Sequence, residues 1–244
     1  MMGFRVIGLL VLGLVLFFPD VTFAQVETLE ETLREGPTPD VVRTVVVLTT
    51  LAIVPALFIV MTSFIRIAIV LAMVRHAFGM PQTPPNAVLI SLAFFLTLFV
   101  MMPTLNEVNT LGLQPYLDGN LDIGAAAQAG AEPLRVFMME QVREEDIALM
   151  YELARAELPE NPADVSLLYL TPAFILNELT VAFTIGFLIL LPFLMIDLVV
   201  SSILLSLGMM MVPPSTISLP IKLLMFVVID GWALTIQGVV GGFG

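Results

Sequence analysis

Three consecutive methionines, Met209-Met210-Met211, run into Val212-Pro213-Pro214 and are followed by Pro220. Methionine is unbranched, polarizable and able to repack, so it suits a surface that must close around changing shapes. On a proline-stiffened loop the three would line a constriction that seals around something passing through. The plain alternative is that they fill an interior gap, as methionines do throughout a chain that has 15 of them. The other chemically loaded residues are charges in or beside apolar segments: Arg66, Glu178, Asp197, Lys222 and Asp230. Facing lipid, each costs a few kcal/mol, so each needs a partner or water. Lys222 with Asp197 is the pair the sequence favours, because the two stand at similar distances on either side of the Met-Pro run. Such a pair locks subunits together, couples to protons, or merely packs; a buried ion pair is weak evidence for stability.

No catalytic constellation accompanies them. The chain lacks a Gly-rich phosphate loop, and its single histidine, His76, has no Gly-x-Ser-x-Gly partner. His76 reads as a loop residue at a helix end, where a cation is favoured. Asp197 and Asp230 lack the Tyr-Asp or Gly-Asp context of an intramembrane aspartyl protease. With no Cys and scattered carboxylates, neither a disulfide nor a structural metal centre is expected. The basic surface that nucleic acid requires is missing at a net charge of −12. The expectation is a non-enzyme without cofactors.

The elements that position these residues are apolar. The chain is 59% hydrophobic and 12% charged, about half the charge fraction of a soluble domain, which marks a membrane protein or a subunit of a membrane-embedded assembly. Residues 1–24 read as a signal peptide: Arg5, the apolar run Val6 to Phe18, then Thr22-Phe23-Ala24, with cleavage between Ala24 and Gln25. The run is too short to span a hydrocarbon core of about 30 Å. Residues 25–44 form an acidic segment. Residues 45–102 read as a first helical hairpin, an apolar stretch Val45 to Val74 and a helix Ala87 to Met102 capped by Asn86.

Residues 103–165 are an acidic insert, with twelve acids against Arg135, Arg143 and Arg155. Its centre, Glu132 to Glu157, has helical amphipathic spacing, whereas Asn109 to Gly130, rich in Gly and Ala, reads as loop. The insert is expected to bury its apolar face against the hairpins or a neighbouring subunit. Residues 166–244 form a second hairpin with the Met-Pro loop, 208–220, at its tip. Val165 to Val212 is too long for one crossing, about 70 Å as a helix. With Pro172 and Pro192 inside, a bent protruding helix or two half-helices is expected. Ile221 to Gly244 is expected as one last helix. By sidedness, the acidic segments fall outside and the Arg75-His76 turn and the Met-Pro loop inside.

The run Met61-Thr62-Ser63-Phe64-Ile65-Arg66-Ile67 with Ala68-Ile69-Val70-Leu71 resembles the FliP family of flagellar export-gate proteins. So do Pro85-Asn86-Ala87-Val88-Leu89-Ile90-Ser91-Leu92-Ala93, Pro172-Ala173-Phe174, Glu178-Leu179, Pro192-Phe193, Asp197-Leu198-Val199-Val200 and Gly208-Met209-Met210-Met211-Val212-Pro213-Pro214. The virulence-secretion SctR family shares these motifs, and the signal favours the flagellar branch. The resemblance implies an all-α, membrane-associated protein of kinked helical hairpins with an amphipathic periplasmic insert, assembling into a helical pore complex. About five copies would join FliR-like and FliQ-like subunits and FlhB-like and FlhA-like components. This gate would sit in the bacterial inner membrane, within the flagellar basal body, with a large periplasmic-side portion, and pass unfolded rod, hook and filament subunits. Met209, Met210 and Met211 would be its pore gasket; Arg66, Glu178, Asp197 and Lys222 its buried charges; Phe137 and Arg143 would lie at subunit contacts. The competing readings are a solute- or ion-coupled transporter with broken helices and midplane charges, and an assembly scaffold without a pore. A transporter predicts repeat symmetry and a substrate-sized site, and the two hairpins show no convincing repeat.

Overall fold

The computed structural model describes residue 48, residues 56–80 and residues 82–243. The expected signal peptide, its Ala24–Gln25 cleavage site and the acidic segment 25–44 lie outside the described residues. Contacts divide the chain into Met1–Phe58 and Ile59–Gly244, and every element named below belongs to the second unit. Among the described residues the regular structure is entirely helical.

Residues 59–60 are helical, the helix breaks at 61–63, and α1 (Phe64–Ala77) follows. The apolar stretch read as running to Val74 is thus interrupted at Met61 to Ser63 and ends later, with Arg75 and His76 in the last helical turn, where cations complement the exposed carbonyls. Helix α2 (Asn86–Val108) starts one residue earlier than a capping Asn86 would allow. Pro85, extended at φ −60° and ψ 151°, is the cap residue. Asn86 instead accepts a hydrogen bond from Arg75 Nη1 at 2.5 Å, which ties the end of α1 to the start of α2. Beyond Met102, α2 continues past Pro103 into a π-helical turn (Asn109–Leu113) and α3 (Gln114–Leu117).

This corrects the loop expected over Asn109 to Gly130. After a turn at 118–122, α4 (Ile123–Gln141) begins, with Asp122 accepting from the Ala125 amide at 2.8 Å. Gly119, at φ +76°, makes that turn, whereas Gly112 and Gly130 serve close packing. A Cβ on Gly112 would lie 2.8 Å from Ala126 O and 3.0 Å from Gly130 Cα, both backbone atoms that no rotamer change can move. Gly112→Leu is therefore expected to destabilise by about 3 kcal/mol or more, read by denaturant unfolding in detergent. At Gly238, inside the helix Gly231–Val240, where a Cβ meets nothing within 4 Å, Ala should instead stabilise by roughly 0.5–1 kcal/mol, the helical cost of glycine.

The helix expected over Glu132 to Glu157 is two helices, α4 and α5 (Glu144–Ala154), because Val142 and Arg143 are extended (ψ 144° and 143°). Their apolar positions Phe137, Met138, Ile147 and Tyr151 are buried with Met101 and Phe174 in one core cluster. The insert thereby packs on α2 and α6 (Leu167–Ser206). Arg135 Nε donates to Glu132 Oε2 at 2.8 Å, and this hydrogen bond holds the Glu132 carboxyl below its usual range. A lowered folded pKa lends stability above the unfolded value and loses it as pH falls through the folded one. Glu132 should thus titrate only below the ordinary carboxylate range, and Arg135→Ala should return its carboxyl chemical-shift midpoint towards that range.

Of the two forms expected for the third apolar stretch, the unbroken one holds: α6 runs 40 residues through both Pro172 and Pro192, about 60 Å. Conversely, the single last helix is two, α7 (Pro214–Val228) and α8 (Gly231–Val240), bent by 65°. Asp230, left-handed at φ 50°, makes the corner. Gly231 sits beneath the Phe226 ring, where a Cβ would come within 2.1 Å. A second core cluster, including Ile67, Val70, Val74, Phe193, Phe226 and Val239, joins α1, α2, α6, α7 and α8. Asn86–Leu117 and α6 are long and apolar enough to cross a membrane, and the bent α7–α8 pair would make a third span.

Candidate functional site

The tip between α6 and α7 is built by local rules. Gly208, at φ +73°, ends α6 in the left-handed conformation that glycine adopts without a Cβ penalty. Gly208 N donates to Leu205 O at 3.0 Å and Met209 N to Leu204 O at 2.9 Å, the paired bonds of a Schellman ending. Pro213 is then extended and Pro214 opens α7, where its missing N–H costs nothing. The turn stops at Pro213, so Pro220 lies inside α7 rather than in the loop. Between these fixed ends Met209, Met210 and Met211 are 44%, 80% and 96% exposed. They fill no gap within their own chain; three flexible apolar side chains are held out from a rigid hairpin.

Behind the tip, Lys222 Nζ lies 2.5 Å from Asp197 Oδ2. Lys222 is buried while Asp197 keeps an exposed edge. This clasp fixes α7 to α6 across the hairpin that carries the methionines.

Towards the start of α6, Glu178 meets Arg66 of α1, and both are buried. Arg66 Nε donates to Glu178 Oε2 at 2.8 Å, and Nη2 closes a second bond to Oε1. The rest of the guanidinium is also used: Nη1 donates to Gly242 O at 2.9 Å, Nη2 to Gln141 Oε1 at 3.3 Å, and its carbon stands 3.7 Å from the Phe243 ring centroid. Asn177 Nδ2 adds a bond to Gln141 O at 2.7 Å. One cation thus holds α1, α6, the end of α4 and the C-terminal turn (Gly241–Phe243). The sequence marks both residues as needing partners without joining them. Once Asp197 takes Lys222, Arg66 has only Glu178 and Asp230 left among the acids in the apolar segments, which is the signal that was there.

Phe137 is buried inside the chain, 6.2 Å from Phe243 and 5.9 Å from Phe174 between ring centroids. Arg143 is half exposed and bonds Asp146 at 2.9 Å. Neither touches the Met tip. His76 is exposed at the end of α1. Among the described residues no His, Asp and Glu cluster could hold a metal ion. A shallow groove along α6, lined by Met73, Thr180, Phe183, Thr184, Phe187 and Leu188, offers little to a polar substrate. The Thr180 and Thr184 hydroxyls are spent on the carbonyls of Leu176 and Thr180, at 3.0 and 2.8 Å.

The sequence model of the FliP family matches residues 47–239. The chain is 49% identical over 202 residues to the flagellar biosynthetic protein FliP of Pectobacterium carotovorum subsp. carotovorum, covering 83% of this chain and 78% of the relative. The Caulobacter vibrioides protein of the same name is 47% identical over 208 residues (85% and 78%). That of Aquifex aeolicus is 38% identical over 223 residues (91% and 93%).

Proposed function

The chain belongs to the FliP family of flagellar biosynthetic proteins, and from that premise we propose that several copies of it surround a narrow protein-conducting pore sealed by Met209, Met210 and Met211. It is a membrane-associated structural component of the flagellar export apparatus, not an enzyme. The observation that carries the pore reading is the exposure of three methionines at the tip of a hairpin clasped by Lys222 and Asp197. Apolar side chains left exposed by their own chain are expected to be covered in an assembly, and methionines adapt to cargo of changing shape. The exposed apolar faces, Phe95 and Phe99 on α2, Leu188 and Leu198 on α6, suit lipid or neighbouring subunits. The assembly would hold about five copies with FliR-like and FliQ-like subunits, next to FlhA-like and FlhB-like components. It would lie in the inner membrane with the insert on the periplasmic side, passing unfolded flagellar proteins. The transporter reading is disfavoured by the open groove and its self-satisfied threonines.

Native mass spectrometry of the detergent-extracted chain, co-expressed with neighbouring membrane genes, tests this. A ring of several copies with two other small membrane proteins is expected; a lone monomer or dimer would overturn the reading. The clasp has its own test. Asp197→Lys is expected to abolish motility, and adding Lys222→Asp should restore swimming in part. A double variant no better than either single one would separate the clasp from the function.

A further inference from the structure

Six Lys and Arg residues lie among the described residues: Arg66, Arg75, Arg135, Arg143, Arg155 and Lys222. Four are in salt bridges. Arg75 and Arg155 are not. On the acidic side, Asp230 stands exposed at the α7–α8 corner amid the exposed apolar residues Val227, Val228, Ile229 and Leu234. It is left-handed, and its side chain does not cap α8. A carboxylate set in apolar surface is costly wherever that surface is covered by lipid or protein, unless a cation meets it there.

The two free cations differ in place. Arg155 follows α5, beside the cluster that contains Tyr151 and onto which Ala156 packs. Arg75 adjoins the same aromatic layer as Asp230. Phe78, one turn after Arg75, lies 4.6 Å from Phe226 between ring centroids, and Phe226, one turn before Asp230, lies 5.4 Å from Trp232. Arg75 finds only neutral acceptors, Asn86 Oδ1 and Pro84 O, and its Nε is buried without a partner. An unneutralised guanidinium and an unneutralised carboxylate thus border one layer of the same chain.

We infer that Asp230 of one copy forms an ion pair with Arg75 of the next, joining the α7–α8 corner head-to-tail to the end of α1. A heterologous contact of this kind repeats around an axis and closes a ring when the rotation allows. The inference rests on the multi-copy reading above and specifies which surfaces meet.

The chain has no native cysteine, so the contact can be read by cross-linking. Two differently tagged copies are co-expressed, one carrying His76→Cys and the other Ile229→Cys; both positions are exposed and the proposed pair stays intact. A short bismaleimide should give the mixed dimer and no dimer from His76→Cys copies alone. Adding Asp230→Asn, which keeps a residue tolerant of the left-handed backbone, should lower the yield by roughly fivefold, and Asp230→Glu should retain most of it. Thermal unfolding of the isolated chain should be unchanged by Asp230→Asn. A ring that gives no mixed dimer, or a mixed dimer indifferent to Asp230→Asn, overturns this pairing while leaving the pore reading standing. A chain that remains monomeric with its co-expressed neighbours overturns both. If Asp230→Asn lowers the midpoint of the isolated chain, the carboxylate serves its own fold and the inference fails.

Discussion

Glu178→Ala is expected to destabilise the chain by about 3–5 kcal/mol, because it strands a buried guanidinium. Arg66 and Glu178 are 2% and 0% exposed, so water cannot take the place of the lost carboxylate. The damage should spread, since the same cation holds Gly242 O, Gln141 and the Phe243 ring. Denaturant or thermal unfolding in detergent measures it. Replacing both partners, Arg66→Met with Glu178→Leu, removes the uncompensated charge and should recover part of the loss. Recovery stays incomplete because two oxygens lose their donor, at about 1–3 kcal/mol for each that remains buried and unsatisfied. A Glu178→Ala chain within about 1 kcal/mol of the parent would show that the guanidinium has another route to solvent or charge.

The second large effect is functional. Replacing Met209, Met210 and Met211 together with Gly should leave folding nearly intact, because all three side chains are largely outside the core and the turn is fixed by Gly208 and Pro213–Pro214. Cells carrying this variant should become leaky to small solutes. A milder Ala series should leak less than Gly, as each retains some apolar bulk. Unchanged permeability together with normal export would remove the gasket role. A variant that fails to assemble would show that the methionines hold subunits together.

The sequence was legible where the physics is local. A triple methionine between glycine and two prolines can be read as a stiff apolar tip, and the Schellman bonds at Gly208 follow from that order. Lys222 and Asp197 were legible because both lie a few turns from one loop. Arg66 and Glu178 stand 112 residues apart, and no periodicity connects them; only charge bookkeeping across the whole chain does. The insert was misread where glycine has two uses. Gly112 and Gly130 look like turn residues but allow two backbones to approach. The two Pro residues inside α6 did not break it, while the α7–α8 corner came at a place without proline. There Asp230 adopts a left-handed conformation and Phe226 closes over Gly231, a tertiary contact that a hydrophobic run does not announce. The amphipathic spacing of 132–157 marks an apolar face, and Phe137, Ile147 and Tyr151 on it are buried, but it announces neither the break at Val142–Arg143 nor the exposure of Leu153.

A shared pore requires the Met tips of several copies to converge on one axis. The most direct measurement is a single Met211→Cys in the otherwise cysteine-free chain, oxidised in the membrane and separated by size without reductant. Convergence predicts efficient disulfide-linked dimers, and fewer of them when export cargo is jammed in the apparatus. Tips that never link to one another, with or without jammed cargo, would contradict a shared pore.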